Sequence, residues 1–183
     1  MTYPITKFWF YPLCFFLTGE VEGREDIPPK GNFIIVSNHE HLIDPLLIIY
    51  PILKKLDKKV HFLSSARWWF LGDTICRKWA GCVPLFDKKQ AYNESKNLSN
   101  SREIIAIFPE GGIKRTKNPK TGAVRLALET HIPILPIGLK SSYVPFKSTL
   151  NIGEMIYITK NKKNFKKQTE DLMKQVYKLR DGI

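Results

Sequence analysis

The sequence predicts a single α/β domain with a mostly parallel central β-sheet flanked by helices. Three observations lead there. Short apolar runs rich in β-branched residues alternate with stretches of helical periodicity along the chain. The 183 residues are enough to bury one core, with no internal repeat, low-complexity tract or evident linker. Hydrophobic residues make up 43% and charged residues 25%, the balance of an ordinary folded protein rather than a disordered one.

The elements follow in order. Phe33–Ser37 reads as a buried strand entered from the Pro28-Pro29-Lys30-Gly31 turn, and Pro45–Lys55 as a helix opened by proline. Val60–Ser64 is a second strand and Arg67–Ala80 a helix rich in tryptophan. Cys82–Phe86 is a short strand, Lys88–Ser99 a polar helix and Ile104–Phe108 a strongly apolar strand. Thr121–Thr130 is a helix with Ala123, Leu126, Ala127 and Thr130 on one face. Ile134–Leu139 and Met155–Thr159 are further strands. Phe165–Leu179 is a closing helix, basic on one side, with Phe165, Leu172, Val176 and Leu179 on the other. In such a sheet, the loops after strand C-termini are the expected home of a site.

Residues 1–20 are expected to be an apolar, membrane-associated segment ahead of a domain spanning 21–183. The dense run Phe8–Leu17 is about half the roughly 20 residues needed to cross a bilayer. Pro12 interrupts it and no small-residue cleavage site follows, so it is a poor signal peptide. Its aromatics either close the core or sit at a headgroup boundary. A net charge of +12 implies an anionic partner: nucleic acid, a membrane surface or a phosphorylated ligand. Cys14, Cys76 and Cys82 lack metal-ligand spacing and are expected to be free thiols in a reducing compartment.

Two loops carry chemistry. In Asn38-His39-Glu40-His41-Leu42-Ile43-Asp44-Pro45, an imidazole leaves a strand and a carboxylate enters a helix. A carboxylate that accepts the Nδ1 proton leaves Nε2 as a general base. The competing reading of Asp44 is a helix N-cap, and one carboxylate can serve both roles. His39-x-His41-x-x-Asp44 lacks the further His and Asp set of a metal hydrolase, so no metal is expected. The second loop is Phe108-Pro109-Glu110-Gly111-Gly112-Ile113-Lys114-Arg115-Thr116-Lys117. Its paired glycines let backbone N–H groups approach a phosphate or an oxyanion, and its cations supply charge. The plain alternative is a surface turn with solvated lysines.

Together these blocks resemble the glycerolipid acyltransferases of the lysophosphatidic acid acyltransferase type. Asn38-His39-x4-Asp44 matches the family's NHx4D motif. Gly81-Cys82-Val83-Pro84-Leu85-Phe86-Asp87-Lys88 matches its second block, Phe108-Pro109-Glu110-Gly111 its FPEG block, and Ile132-Pro133-Ile134-Leu135-Pro136-Ile137 its fourth. Lys120-Thr121-Gly122 resembles a family Lys-x-Gly. The resemblance runs from about Val21 to about Leu139, and four ordered blocks are far more specific than one.

The resemblance implies acyl transfer to a hydroxyl of a lysophospholipid, from acyl-CoA or acyl carrier protein as co-substrate and without a cofactor. It assigns His39 as base and Asp44 as its orienting acid, the acceptor's own hydroxyl being the nucleophile. Accordingly the chain has no Gly-x-Ser-x-Gly elbow. Glu110, Gly111 and Gly112 are assigned to the acceptor and oxyanion region. Where the family carries arginine for the acceptor phosphate, Lys88 or Lys89 stands here, and Lys114 and Arg115 are equal candidates after the FPEG block. The partners implied are the lysolipid, the acyl donor and the cytoplasmic face of a membrane, held peripherally. Charge spread through loops and tail, without a nucleic-acid motif, argues against nucleic acid.

Overall fold

The computed structural model of the protein describes residues 6–30, 32–65, 69, 72–113, 116, 118–159 and 164–183. Seven strands form one sheet: β1 (Thr18–Glu22), β2 (Ile34–Ser37), β3 (Val60–Ser64), β4 (Cys82–Pro84), β5 (Ile104–Ile107), β6 (Ile134–Lys140) and β7 (Ser148–Ile152). Their order is β1-β7-β6-β2-β5-β3-β4. From β6 to β4 every pairing is parallel, β7 is antiparallel to β6, and β1 is parallel to β7.

Helices α1 (Thr6–Leu17) and α2 (Asp44–Leu56) cover one face, and α3 (Lys88–Asn100), α4 (Gly122–Thr130) and α5 (Phe165–Asp181) the other. Strand β2 explains its own composition. Ile35 joins Leu47, Ile48 and Ile52 of α2 on the first face. Ile34 and Val36 join Ala123, Leu126, Leu172 and Val176 on the second. A strand covered on both sides has no solvent face to make polar, hence the unbroken apolar run. Helix ends follow local chemistry: Asp87 Oδ1 accepts the Gln90 N–H at 2.6 Å to cap α3. Asn164 Oδ1 accepts the Lys167 N–H at 2.9 Å to cap α5.

The fold class is as the sequence predicts, with four differences in detail. Met155–Thr159 is not a strand. Only Ile156 pairs, exchanging two 2.8 Å backbone bonds with Ile134. Two residues further along β6, Pro136 has no N–H with which to continue that ladder. The C-terminal part of the expected helix Arg67–Ala80 is a π-helix over Thr74–Trp79, with Ala80 N–H donating to the Ile75 carbonyl at 2.8 Å. Residues 66–68, 70 and 71 lie outside the described set. Strands β1 and β7, not expected from the sequence, close one side of the sheet.

The fourth difference concerns the N-terminal segment, since β1 runs across the division expected at residue 20. Within α1, Phe10, Tyr11 and Leu17 pack on the core and Cys14 is buried, while Phe8, Leu13, Phe15 and Phe16 are exposed. The aromatic run thus has one face that closes the core and another that stays exposed. No helix among the described residues is long and apolar enough to cross a membrane.

Candidate active site

Strand β2 lies between β5 and β6, so the turn that follows it emerges at the middle of the sheet's C-terminal edge. The chain then leaves β2 toward β3 and leaves β6 toward β7, in opposite directions. A crevice opens where paths diverge in this way. The first contact fixes the turn in place. Asn38 is buried, its Nδ2 donates to the Leu139 carbonyl at 2.8 Å, and its Oδ1 accepts the Leu139 N–H at 2.9 Å. The side chain thereby continues the β2–β6 ladder one residue beyond the strand.

Next comes the pair. His39 Nδ1 lies 2.8 Å from Asp44 Oδ2, with the carboxylate fully buried and the imidazole largely so. Asp44 does not take the N-cap position of the competing reading. Ile43 holds that position, and Asp44 is the first residue of α2. Its carboxylate turns back instead, Oδ2 also accepting the N–H of Glu40 at 2.6 Å and of His41 at 3.0 Å. Three donors on one oxygen, together with the positive end of α2, offset the desolvation of the charge. A carboxylate can only accept here, so Nδ1 carries the proton. The ring lies flat on Phe108, centroids 4.3 Å apart and planes 14° apart, and Phe108 in turn stacks on Phe62.

Glu110 joins the two loops. It is 8% exposed, and its Oε2 accepts the His39 N–H at 2.6 Å while its Oε1 accepts the Tyr177 hydroxyl. Burial pushes its carboxyl above the ordinary carboxylate range, against the lowering effect of those hydrogen bonds. Gly111 follows at φ +71°, a left-handed conformation natural to glycine. Its N–H donates to the Phe108 carbonyl at 3.0 Å, so it closes the turn rather than facing outward. Gly112 is exposed, with open space where a Cβ would stand. Lys120 passes beside Gly111, its backbone N–H on the Pro109 carbonyl at 2.7 Å.

Of the residues singled out in the sequence, His39, Asp44 and Glu110 are brought together, with Gly111 and Gly112 beside them. Lys88 and Lys89 are exposed in the first turn of α3, after β4 at the same sheet edge. Three strand spacings separate β4 from β2, roughly 14 Å. Lys114 and Arg115 lie outside the described residues. Four contributors escaped sequence reasoning: Asn38 in its ladder role, Ser141, Tyr177 and Arg180. Ser141 Oγ meets His41 Nδ1 at 2.7 Å, and Arg180 Nε donates to Glu40 Oε1 at 2.5 Å. The helical pattern of α5 disclosed its buried face but not the loops its polar residues reach.

A family model described as Acyltransferase matches residues 19–140, two strands' turns and all of the contacts centred on His39 included. The chain belongs to the acyltransferase family. Over 152 residues this acyltransferase chain is 30% identical to the 1-acyl-sn-glycerol-3-phosphate acyltransferase of Borreliella burgdorferi, covering 75% of the chain and 58% of that protein. To the 1-acyl-sn-glycerol-3-phosphate acyltransferase alpha of Mus musculus it is 28% identical over 139 residues, 70% of the chain and 47% of that protein. The chain thus spans about half the length of these relatives. The crystal structure of the 1-acyl-sn-glycerophosphate (LPA) acyltransferase PlsC from Thermotoga maritima superposes with a TM-score of 0.66 at 23% identity. That match covers 89% of this chain and 72% of that one, and shows that the acyltransferase fold is shared. The family match stops at β6, so α5 lies beyond it.

Proposed function

We propose that the protein transfers an acyl group from a thioester, acyl-CoA or acyl carrier protein, to the free hydroxyl of lysophosphatidic acid, giving phosphatidic acid in phospholipid synthesis. One observation carries this reading: the Nδ1 of His39 on a fully buried Asp44 at 2.8 Å, at the mouth of the sheet. In that arrangement Nε2 takes the proton of the acceptor hydroxyl as its oxygen attacks the thioester carbonyl. Asp44 stabilises the imidazolium that forms. As the tetrahedral intermediate collapses, the C–S bond breaks and His39 returns the proton to the thiolate, so the base is regenerated. The names of the relatives support the acceptor, a glycerol phosphate bearing one acyl chain. Lys88, Lys89, Lys114 and Arg115 are the candidate cations for its phosphate, and Gly112 is the better placed of the two glycines to present an N–H to the oxyanion.

The protein acts as a peripheral enzyme on the cytoplasmic face of a membrane. In support, exposed apolar residues gather beside the His39 turn. Phe15 and Phe16 of α1 pack edge-on against Phe146 of the β6–β7 loop, whose neighbours Tyr143 and Val144 are 58% and 57% exposed. Phe146 is held at φ +58°, an uncommon conformation for a bulky residue, by its N–H to the Phe16 carbonyl. A net charge of +12 suits an anionic surface.

The test offers both donors and a panel of lysolipids, with products read by lipid mass spectrometry. Lysophosphatidic acid is expected to be the preferred acceptor. Equal or better activity on an acceptor without a phosphate monoester would overturn the acceptor. Near-normal turnover by folded His39→Ala would overturn the mechanism.

A further inference from the structure

Helix α5 lies outside the matched family region, yet its last turns reach both acidic side chains that flank His39. Tyr177 donates to Glu110 Oε1, and the other oxygen of Glu110 accepts the His39 N–H. One turn on, Arg180 Nε donates to Glu40 Oε1 at 2.5 Å, and the other oxygen of Glu40 accepts the Ser141 N–H at 3.2 Å. Each carboxylate is therefore a bridge with one oxygen on α5 and one on the backbone of the site. The helix can reach because it lies unusually close to the sheet. A Cβ added to Gly138 of β6 would stand 2.1 Å from the Arg180 nitrogen.

We propose that Tyr177 and Arg180 are positioning residues that lock the His39 turn through Glu110 and Glu40. Neither touches the reacting atoms in this arrangement. Tyr177 fixes Glu110, which fixes the peptide nitrogen of His39 and with it the direction in which the imidazole leaves the backbone. Arg180 fixes Glu40, whose own N–H is bound by Asp44 Oδ2, so the orienting acid and the base are braced from the same helix. The two bridges also join the loops after β2, β5 and β6 into one unit. Asn38 ties the same turn to β6, but it acts before His39 in the chain and leaves the rotation of the following residues open. Glu110 and Glu40 close that freedom.

This inference rests on the acyl-transfer reading for its kinetic arm and stands alone for its structural arm. The variants are Tyr177→Phe, Arg180→Gln and the conservative Arg180→Lys. In the lysophosphatidic acid assay, Tyr177→Phe and Arg180→Gln are expected to lower kcat by about 10- to 100-fold, with the acceptor KM changed by less than about twofold. Arg180→Lys recovers part of that loss. Loss of the Tyr177 hydrogen bond moves the acidic limb of the kcat profile of Tyr177→Phe to higher pH, because the carboxylate form of Glu110 loses a donor. A role confined to stability would not move that limb. Independently of activity, hydrogen exchange at the His39 amide is expected to quicken in Tyr177→Phe. Unchanged His39 exchange would overturn the lock, whatever reaction the protein performs. Faster exchange with unchanged kcat and pH limb would overturn the catalytic consequence. A wild-type protein that acylates no lysolipid would instead overturn the proposed function, with the exchange measurement still deciding the lock.

Discussion

Asn38 and Leu139 are joined by two hydrogen bonds, Nδ2 to the carbonyl at 2.8 Å and the N–H to Oδ1 at 2.9 Å. A side-chain amide here stands in for a peptide unit, and it does so where Leu139 is wholly buried. Asn38→Ala leaves a buried donor and a buried acceptor without partners, at a cost of about 2–4 kcal/mol. Asn38→Asp restores the acceptor but sets a carboxylate oxygen against the Leu139 carbonyl, and is expected to be no more stable than alanine. Denaturant unfolding of the two variants checks both statements. A loss under about 0.5 kcal/mol in Asn38→Ala would contradict the role.

Asp44→Asn separates charge from shape. The amide fills the same space, but it no longer holds the proton on Nδ1 or balances an imidazolium. Turnover is expected to fall on the order of 10³-fold or more, with acceptor KM little changed. Steady-state kinetics on the folded variant decides this, and a modest loss would mean that Asp44 serves the turn alone.

Glu110 gives a pH signature. Burial raises its folded pKa, so the folded state holds that proton more tightly than the unfolded chain. Its contribution to stability is full below the ordinary carboxylate range and is lost as pH rises through the folded value. The stability of Glu110→Gln relative to the natural protein should therefore improve as pH rises from the ordinary carboxylate range through the raised folded value. Activity should fall over the same range, since one amide cannot accept from both His39 and Tyr177. Thermal unfolding across pH with parallel assays tests both. A pH-independent stability difference would contradict the burial argument.

Gly138→Ala tests the close approach of α5. Its Cβ would collide with the backbone at Leu179 and Arg180, which cannot move aside as a flexible side chain can. A loss of about 3 kcal/mol is expected, accompanied by loss of activity as Tyr177 and Arg180 are carried away from the turn. Wild-type stability in this variant would show that the helix has room to spare.

Phe146→Asn addresses the exposed aromatic loop. Asparagine accepts the left-handed conformation at φ +58°, so the fold is expected to be as stable or more so. Partitioning onto phosphatidylglycerol vesicles should weaken by about tenfold, the worth of one phenyl ring withdrawn from a bilayer. Sedimentation with vesicles reads this directly, and undiminished binding would exclude the loop from the contact.

The two motif loops were legible because their residues act over short distances in the chain. His39 and Asp44 are five apart across one strand-to-helix turn, and the glycine after Glu110 announces a bend. What stayed hidden depends on the sheet order. Nothing in the helical pattern of α5 says that Tyr177 will meet a carboxylate in the loop after β5. That follows from α5 lying against β6, itself next to β2. β7 escaped for a different reason. Its buried face carries Ser148 beside Leu150 and Ile152, and Ser148 is at home there only because its hydroxyl bonds to the backbone of Ser142. β1 contains two glutamates and a glycine, with Thr18 its fully buried member. Asp44 before a proline looks like a cap until His39 and the Glu40 and His41 amides are seen behind it.

The outer pair of the sheet sets an order of events. β1 has one strand neighbour, and that neighbour is β7, so Thr18 must wait for Ser148 before its ladder can form. During synthesis the ribosome releases α1 and β1 long before the strand that receives them, while β2 to β6 can assemble in sequence without either. The segment that carries the aromatic helix therefore takes its place in the sheet only once a strand more than a hundred residues further along the chain is made, so the first strand in the sequence is among the last to be paired.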